Sequence, residues 1–161
     1  MDTVKVTAAL ALIVGLGLIG AIAAVLLTPA GTPQAQQPAE EPTRVITIIA
    51  TEVGNRFLFA LEGGEPAEPA PEIRVKVGDI VKVILKNMGK VPHSFAVVGE
   101  KRFDVEPLFN SAIGSVSRPL EAGKTGSITF KPNRAGEYYY VCQVPGHIEL
   151  GMWGKFIVEE K

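Results

Sequence analysis

Short runs of alternating apolar and polar residues, separated by turn residues, fill the chain from Arg44 onward. In one of them Val81, Val83 and Leu85 share one face, with Lys82 and Lys86 on the other, as is typical of a half-buried β-strand. No stretch in this part of the sequence has the periodicity of a helix. The pattern therefore predicts an all-β domain, either an antiparallel sandwich or a barrel. The predicted strands are residues 45–51, 74–77, 81–85, 94–98, 125–130, 137–142 and 155–159.

Two segments between these strands have a different composition. Residues 61–72 (LEGGEPAEPAPE) are rich in proline, glycine and glutamate, and they predict a solvated excursion between strands. Residues 103–120 form a long, turn-rich connection whose structure the pattern does not resolve.

The N-terminal part is continuously apolar. Every residue from Ala8 to Leu27 is alanine, leucine, isoleucine, valine or glycine. Such a segment rises about 30 Å as a helix, which matches the hydrocarbon thickness of a bilayer. A single transmembrane anchor is the favoured interpretation. The alternative is a cleaved secretory signal with a cut near Ala30 or Ala35, although the apolar core of such signals usually has only about 7–15 residues.

The positions of the basic residues predict the orientation of this segment. Lys5 precedes it, and no lysine or arginine follows before Arg44, which places the N-terminus in the cytoplasm. We therefore expect a membrane anchor at residues 1–27, a proline-rich tether at 28–43 and a β domain at 44–161. The expected location is the cell membrane, crossed once, with the β domain on the extracytoplasmic side.

Composition excludes several classes of protein. The 161 residues carry a formal net charge of -1, and no cluster of lysine and arginine offers a surface for phosphate groups, so nucleic acid is not an expected partner. The chain has one cysteine, which excludes an intramolecular disulfide. Sites that need two thiolates from this chain, such as an iron–sulfur cluster or a binuclear copper centre, are excluded as well.

The candidate chemistry lies near the end of the sequence. Cys142, His147 and Met152 follow one another with four residues between successive members. The Pro145-Gly146 turn folds this loop, which joins two predicted strands and can bring a thiolate, an imidazole and a thioether to one point. A second imidazole must come from elsewhere, and His93 is the chain's other histidine.

This set of donors favours copper. Two imidazoles and a thiolate with a weak axial thioether suit both oxidation states of copper. Zinc is the weaker alternative, because methionine is a poor zinc ligand. Each residue alone also has an ordinary interpretation as part of the core or surface. A lone thiol in an exported domain needs protection, however, and metal ligation provides it. The predicted ligands are His93, Cys142, His147 and Met152.

The segment Cys142–Trp153, together with Pro92-His93-Ser94, resembles the cupredoxin family of blue-copper proteins. Within the family, the Val-Pro-Gly-His turn and the Gly-Met-Trp ending are most similar to sulfocyanin and to rusticyanin-like members. The resemblance covers residues 74–161 and, more loosely, the first strands from Arg44, whereas the inserts at 61–72 and 100–120 do not map onto the family pattern. It implies a Greek-key β-sandwich with one type 1 copper ion at one end.

The resemblance also implies roles for the four predicted ligands. His93, Cys142 and His147 would be the equatorial ligands, and Met152 the axial one. A backbone N–H from Ser94, and a second one from Val144, would donate to the sulfur of the cysteine. The edge of the His147 ring would lie at the surface. An apolar collar would surround it, formed by Val144, Pro145, Ile148 and Leu150.

The function implied is that of an electron carrier, not an enzyme. It would shuttle single electrons between respiratory partners, such as a cytochrome or a terminal oxidase, as a monomeric soluble domain held at the membrane by its N-terminal helix. A nitrite reductase or multicopper oxidase fragment would need further histidines, and both histidines of this chain are already assigned. Copper storage or delivery is the alternative that stays open, although the chain has only three methionines.

Overall fold

The computed structural model describes residues 40–161, and strands account for nearly all of the regular structure in this range. The one other element is a short 3₁₀ turn at Leu108–Asn110. The eight strands are β1 (Arg44–Val53), β2 (Arg56–Leu61), β3 (Ala70–Lys76), β4 (Val81–Asn87), β5 (Ala96–Val98), β6 (Thr125–Phe130), β7 (Gly136–Val141) and β8 (Trp153–Glu159). The predicted all-β class is confirmed for the described residues.

The strands form two four-stranded sheets, in the orders β2-β1-β4-β6 and β3-β8-β7-β5. Period-two alternation decides which side chains lie between the sheets. In β4, Val81, Val83 and Leu85 are fully buried, as the sequence pattern predicts. The two inner faces pack as a β-sandwich, in agreement with the fold that the resemblance implies.

The sheets are not purely antiparallel, which corrects one expectation. β1 pairs with β4 in parallel, and β3 pairs with β8 in parallel, while the remaining pairs are antiparallel. The chain leaves the first sheet after β2, adds β3 to the second sheet and then returns to lie beside β1. Because the connection crosses between sheets, β4 can run in the same direction as β1.

The segment 61–72 is only partly the solvated excursion that its composition predicts. The backbone N–H of Ala67 donates to the carbonyl of Phe59 at 3.3 Å, so the segment folds back on β2. Ala70 already belongs to β3 and is buried. The connection 103–120, which the sequence pattern does not resolve, has no strand longer than an isolated bridge, and within it Ile113 pairs with Phe95 and is buried.

The core between the sheets is built around large aromatic side chains. Phe59, Phe95, Tyr140 and Phe156 are all fully buried. Tyr140 donates from its hydroxyl to the carbonyl of Pro71 at 2.6 Å, which satisfies the polar end of this buried ring. The expectation that Tyr138 and Tyr140 belong to the core is confirmed.

The predicted anchor at residues 1–27 and residues 28–39 of the predicted tether lie outside the described residues. The division of the chain at residues 27 and 43 therefore stays a prediction. Within residues 40–161, no helix combines the length and the apolar composition that a membrane span requires.

Candidate metal centre

The loop between β7 and β8 carries three of the four predicted ligands. Cys142 follows the last residue of β7, and Met152 precedes the first residue of β8. The backbone N–H of Cys142 donates to the carbonyl of Met152 at 3.2 Å. The antiparallel pairing of the two strands therefore closes the loop at its base and places the backbones of Cys142 and Met152 next to each other.

Hydrogen bonds within the loop fix His147. Gly146 has a φ of 85°, a left-handed conformation that glycine adopts without strain, and it completes the turn after Pro145. The N–H of His147 then donates to the carbonyl of Val144 at 3.1 Å, and the N–H of Met152 donates to the carbonyl of His147 at 2.9 Å. A loop tied at these points leaves its ligands little freedom to move.

His93 approaches from a different part of the chain. It precedes β5, and its backbone exchanges two hydrogen bonds with Leu120, at 3.0 and 2.7 Å. Asn87, at the end of β4, holds the loop before it, since its side-chain amide donates to the carbonyls of Val91 and Leu120, each at 2.9 Å. This buried asparagine was not singled out from the sequence, where it reads as an ordinary strand end.

The structure brings three of the predicted ligands together. Nδ1 of His147 lies 3.2 Å from Nδ1 of His93 and 3.4 Å from Sγ of Cys142. The three donor atoms lie within 4.8 Å of one another, and all three residues are buried. Met152 is fully buried in the same core cluster as Cys142. Its role as an axial ligand stays a prediction.

Ser94 places two donor groups near the sulfur of Cys142, and the backbone N–H is the one that the resemblance implies. Its backbone N–H donates to Sγ of Cys142 at 3.3 Å, and its hydroxyl lies 3.7 Å from the same atom. The hydroxyl oxygen also accepts the N–H of Gln143 at 2.7 Å, which joins the His93 segment to the ligand loop. Donors directed at the sulfur stabilise a thiolate.

Burial sets the protonation of the three donors before metal binds. It raises the pKa of the Cys142 thiol, and the N–H groups of Val144 and Ser94 oppose this effect. It lowers the pKa of His93, although Glu52 acts in the opposite direction. Burial, together with repulsion from His93, lowers the pKa of His147 to about 4. Near neutral pH both imidazoles are therefore uncharged and free to act as ligands, and metal binding displaces a proton from the thiol.

The donor set fits copper. Two neutral imidazole nitrogens and a thiol meet at one point that is closed off from water, and copper takes this combination of nitrogen and sulfur ligands. No Asp or Glu joins the three as a potential ligand within residues 40–161. The soft thiolate and the absence of a carboxylate both argue against a hard cation such as magnesium.

Two residues beside the site were not predicted from the sequence. The ring of Phe57 stacks on that of His147, with centroids 4.0 Å apart, and it meets His93 edge-on at 5.7 Å. Glu52 lies 3.1 Å from Nε2 of His93. Phe57 belongs to β2, a strand that was not predicted. Glu52 could have been identified from the sequence as an acidic residue at a position of β1 that faces the core.

The surface around His147 differs in part from the predicted apolar collar. Pro145 is exposed, and Val144 and Leu150 are half-buried. Ile148, by contrast, packs into a second hydrophobic cluster with Ala96, Val98 and Val141 and is no more exposed than His147, so it contributes little to this surface. Trp153 packs against this second cluster, in line with the expectation that it lies beside the ligand loop.

Comparison with known sequences agrees with this geometry. A model of copper-binding proteins of the plastocyanin/azurin family matches residues 68–159. The chain belongs to this family. Rusticyanin from Acidithiobacillus ferrooxidans is 33% identical to it over an alignment of 179 positions, which covers 98% of this chain and 93% of that protein. The copper-resistant cuproprotein CopI from Rubrivivax gelatinosus is 27% identical over 138 residues, covering 81% of this chain and 74% of CopI.

Solved structures give the same picture for the fold. Rusticyanin from Thiobacillus ferrooxidans superposes with a TM-score of 0.51 and 28% identity, covering 71% of this chain and 77% of that one. A multi-copper oxidase from Pseudomonas thermotolerans superposes with a TM-score of 0.55 at 21% identity, but the match covers only 30% of the oxidase chain. The predicted cupredoxin resemblance and its rusticyanin-like character are confirmed, while the similarity to sulfocyanin stays a prediction.

Proposed function

We propose that this protein is a membrane-tethered carrier of single electrons between respiratory redox partners. The observation that supports the proposal best is the cluster of His93, Cys142 and His147 at one end of a stiff sandwich. Of these three residues, only His147 keeps any surface exposed, at 6%. A buried redox site with one ligand close to the surface is suited to electron exchange.

The framework around the ligands supports rapid electron transfer. Cys142 is rooted in β7, and the backbone of His93 is paired with that of Leu120, so neither ligand can move far. Copper held there would supply the one-electron couple between Cu(II) and Cu(I). The ring of Phe57 covers the imidazole of His147 and limits access of water. Ligands that keep their positions in both oxidation states lower the reorganisation that each electron transfer requires.

A partner would dock on the surface around His147. Pro145, Gly146 and Glu149 are exposed there, and the half-buried Val144 and Leu150 flank them. Such a small surface of mixed polarity suits a transient complex more than a permanent one. We propose a cytochrome or a terminal oxidase as the partner, and a monomeric soluble domain.

Reversible redox cycling tests this function. The copper-loaded protein should take up and release one electron per copper in a spectroelectrochemical titration, with superimposable oxidative and reductive curves. It should also exchange electrons with a small cytochrome in stopped-flow mixing, while nitrite and oxygen are not consumed in its presence. Irreversible reduction, or turnover of nitrite or oxygen, would contradict the proposal.

The tether and the location rest on the sequence of residues 1–43. We expect the whole chain to sediment with membranes and to resist extraction by high salt, because about twenty apolar residues partition strongly into lipid. A chain that begins at residue 40 should stay in the supernatant. Protease added to the outside of intact cells should remove the β domain of the anchored protein. Recovery of the whole chain in the soluble fraction would contradict the anchor and favour a cleaved signal.

The Met152→Leu substitution tests the axial ligand. The weak axial ligand tunes the potential of such a site, and leucine offers no donor atom there, so Cu(II), which needs ligand electron density more than Cu(I) does, should be destabilised and the reduction potential should rise. We expect a rise of at least about 59 mV, which corresponds to a tenfold change in the ratio of the two affinities. Met88 is 68% exposed, and Met88→Leu is the matched control that should leave the potential unchanged. An unaltered potential in Met152→Leu would mean that Met152 is not axial.

Copper storage or delivery is the second candidate, and the similarity to a copper-resistant cuproprotein favours it. A storage or delivery protein would prefer Cu(I) and would release it to a chelator within seconds. A carrier should retain copper through many redox cycles. Measuring the copper content after repeated cycling, with a Cu(I) chelator present, separates the two functions.

A further inference from the structure

Glu52 occupies a position where an acidic residue is unexpected. In β1 the side chains of Ile48 and Ala50 point into the core and are fully buried, and Glu52 is the next residue on the same face. Only 19% of its side chain is exposed. A carboxylate directed toward an apolar interior is costly unless donors satisfy it. The partners of Glu52 therefore indicate why it is there.

Three donors meet this carboxylate. Oε2 accepts the backbone N–H of Lys90 at 2.8 Å, and Oε1 accepts that of Val91 at 3.2 Å. Oε1 also lies 3.1 Å from Nε2 of His93. A Cβ on Gly89 would stand 2.5 Å from Oε1, so glycine at that position leaves the carboxylate its space. All these contacts converge on the loop that leads to His93.

The contact with Nε2 decides which nitrogen of His93 faces the other ligands. An ionised carboxylate can only accept, so Nε2 must carry the proton. The neutral ring then has its lone pair on Nδ1, the atom that lies 3.2 Å from Nδ1 of His147. Carboxylates that accept from a metal-binding histidine in this way fix its tautomer and orientation and increase its basicity as a ligand.

We propose that Glu52 is a positioning residue of the copper site, which holds His93 as the Nε2–H tautomer and stabilises Cu(II) relative to Cu(I). The inference rests on the proposed function only in taking copper as the bound metal. A role limited to clamping the loop at Lys90 and Val91 would affect stability but neither the tautomer nor the potential.

The first test needs no substitution and no copper. Long-range ¹H–¹⁵N correlation spectra at neutral pH should show His93 protonated at Nε2 in the metal-free protein and again in the diamagnetic Cu(I) form. The Nε2 proton should exchange slowly with water, because it is hydrogen-bonded and buried. Protonation at Nδ1 in the metal-free protein would overturn the proposal. Since this spectrum can be recorded on a protein that binds no copper, it separates failure of this inference from failure of the proposed function.

The second test compares Glu52→Gln with Glu52→Asp. The glutamine variant keeps the shape but loses the charge, and we expect it to bind Cu(II) 10- to 100-fold more weakly. The loss of affinity for Cu(I) should be smaller than the loss for Cu(II) by a factor of at least ten. This difference corresponds to a rise in the reduction potential of about 59 mV or more. Glu52→Asp keeps the charge, and its potential should stay closer to that of the original protein. The Nε2 proton should exchange faster in Glu52→Gln.

Glu62→Gln is the matched control. Glu62 is exposed, pairs with Lys86 at 2.6 Å and touches none of the copper ligands. The Glu62→Gln substitution removes the same charge from the surface, where solvent and salt screen it, so the reduction potential should not change. Equal potentials in Glu52→Gln and Glu62→Gln, with only a loss of stability in the former, would reduce Glu52 to a clamp and overturn the proposal.

Discussion

The Cys142→Ser protein is expected to bind copper without the intense visible absorption of a copper–thiolate bond. Cys142 provides the only thiol of the chain, so no other residue can supply the charge-transfer transition. Affinity should also fall, above all for Cu(I), because thiolate is the softest donor of the set. Absorption spectra recorded during a Cu(II) titration check both expectations.

Met88→Leu serves as the control for this experiment as well, because it removes a sulfur atom that is exposed to solvent, whereas Cys142 is fully buried. Its spectrum should match that of the original protein at every copper concentration. If Cys142→Ser kept the visible band, the thiolate would not be a ligand, and the geometry of the site would need another explanation.

The second large effect is expected from Phe59→Ala, which tests the fold. Phe59 is fully buried on β2, and its ring lies 5.6 Å from that of Tyr140 in the opposite sheet. Truncation removes this contact between sheets and leaves a cavity, so the free energy of unfolding should fall by about 3–5 kcal/mol. Urea denaturation of the metal-free protein measures it, because bound copper would add its own stabilisation.

Val45→Ala is the matched control on the neighbouring strand. Val45 is 59% exposed, and its truncation should change the free energy of unfolding by no more than about 0.5 kcal/mol. If Phe59→Ala lowered the free energy of unfolding by as little as Val45→Ala does, β2 would not belong to the core.

Local pattern was sufficient to predict much of the sandwich. β4 alternates between buried and half-buried residues and β6 between exposed and less exposed ones, and both were located within two residues of their ends. β2 was missed because Leu58, Phe59 and Ala60 are buried in succession, so the strand shows no period of two. The parallel pairing of β1 with β4 was also missed. It depends on where the chain crosses between sheets, which no local pattern encodes.

The same distinction applies to the metal centre. Cys142, His147 and Met152 lie on one short loop, and their spacing was visible in the sequence. His93 could be added only because the chain has a single other histidine. Glu52 and Phe57 reach the site from strands distant along the chain, and their contacts become apparent only once the sheets are assembled.

Titration of the purified whole chain with Cu(II), in detergent, is the decisive experiment for copper binding by these residues. We expect a strong visible band that grows linearly, stops at one copper per chain, disappears on reduction and returns in full on reoxidation. A protein that takes up no copper, or that binds it without this band, would contradict the assignment of His93, Cys142 and His147 as the ligands of a single redox-active copper ion.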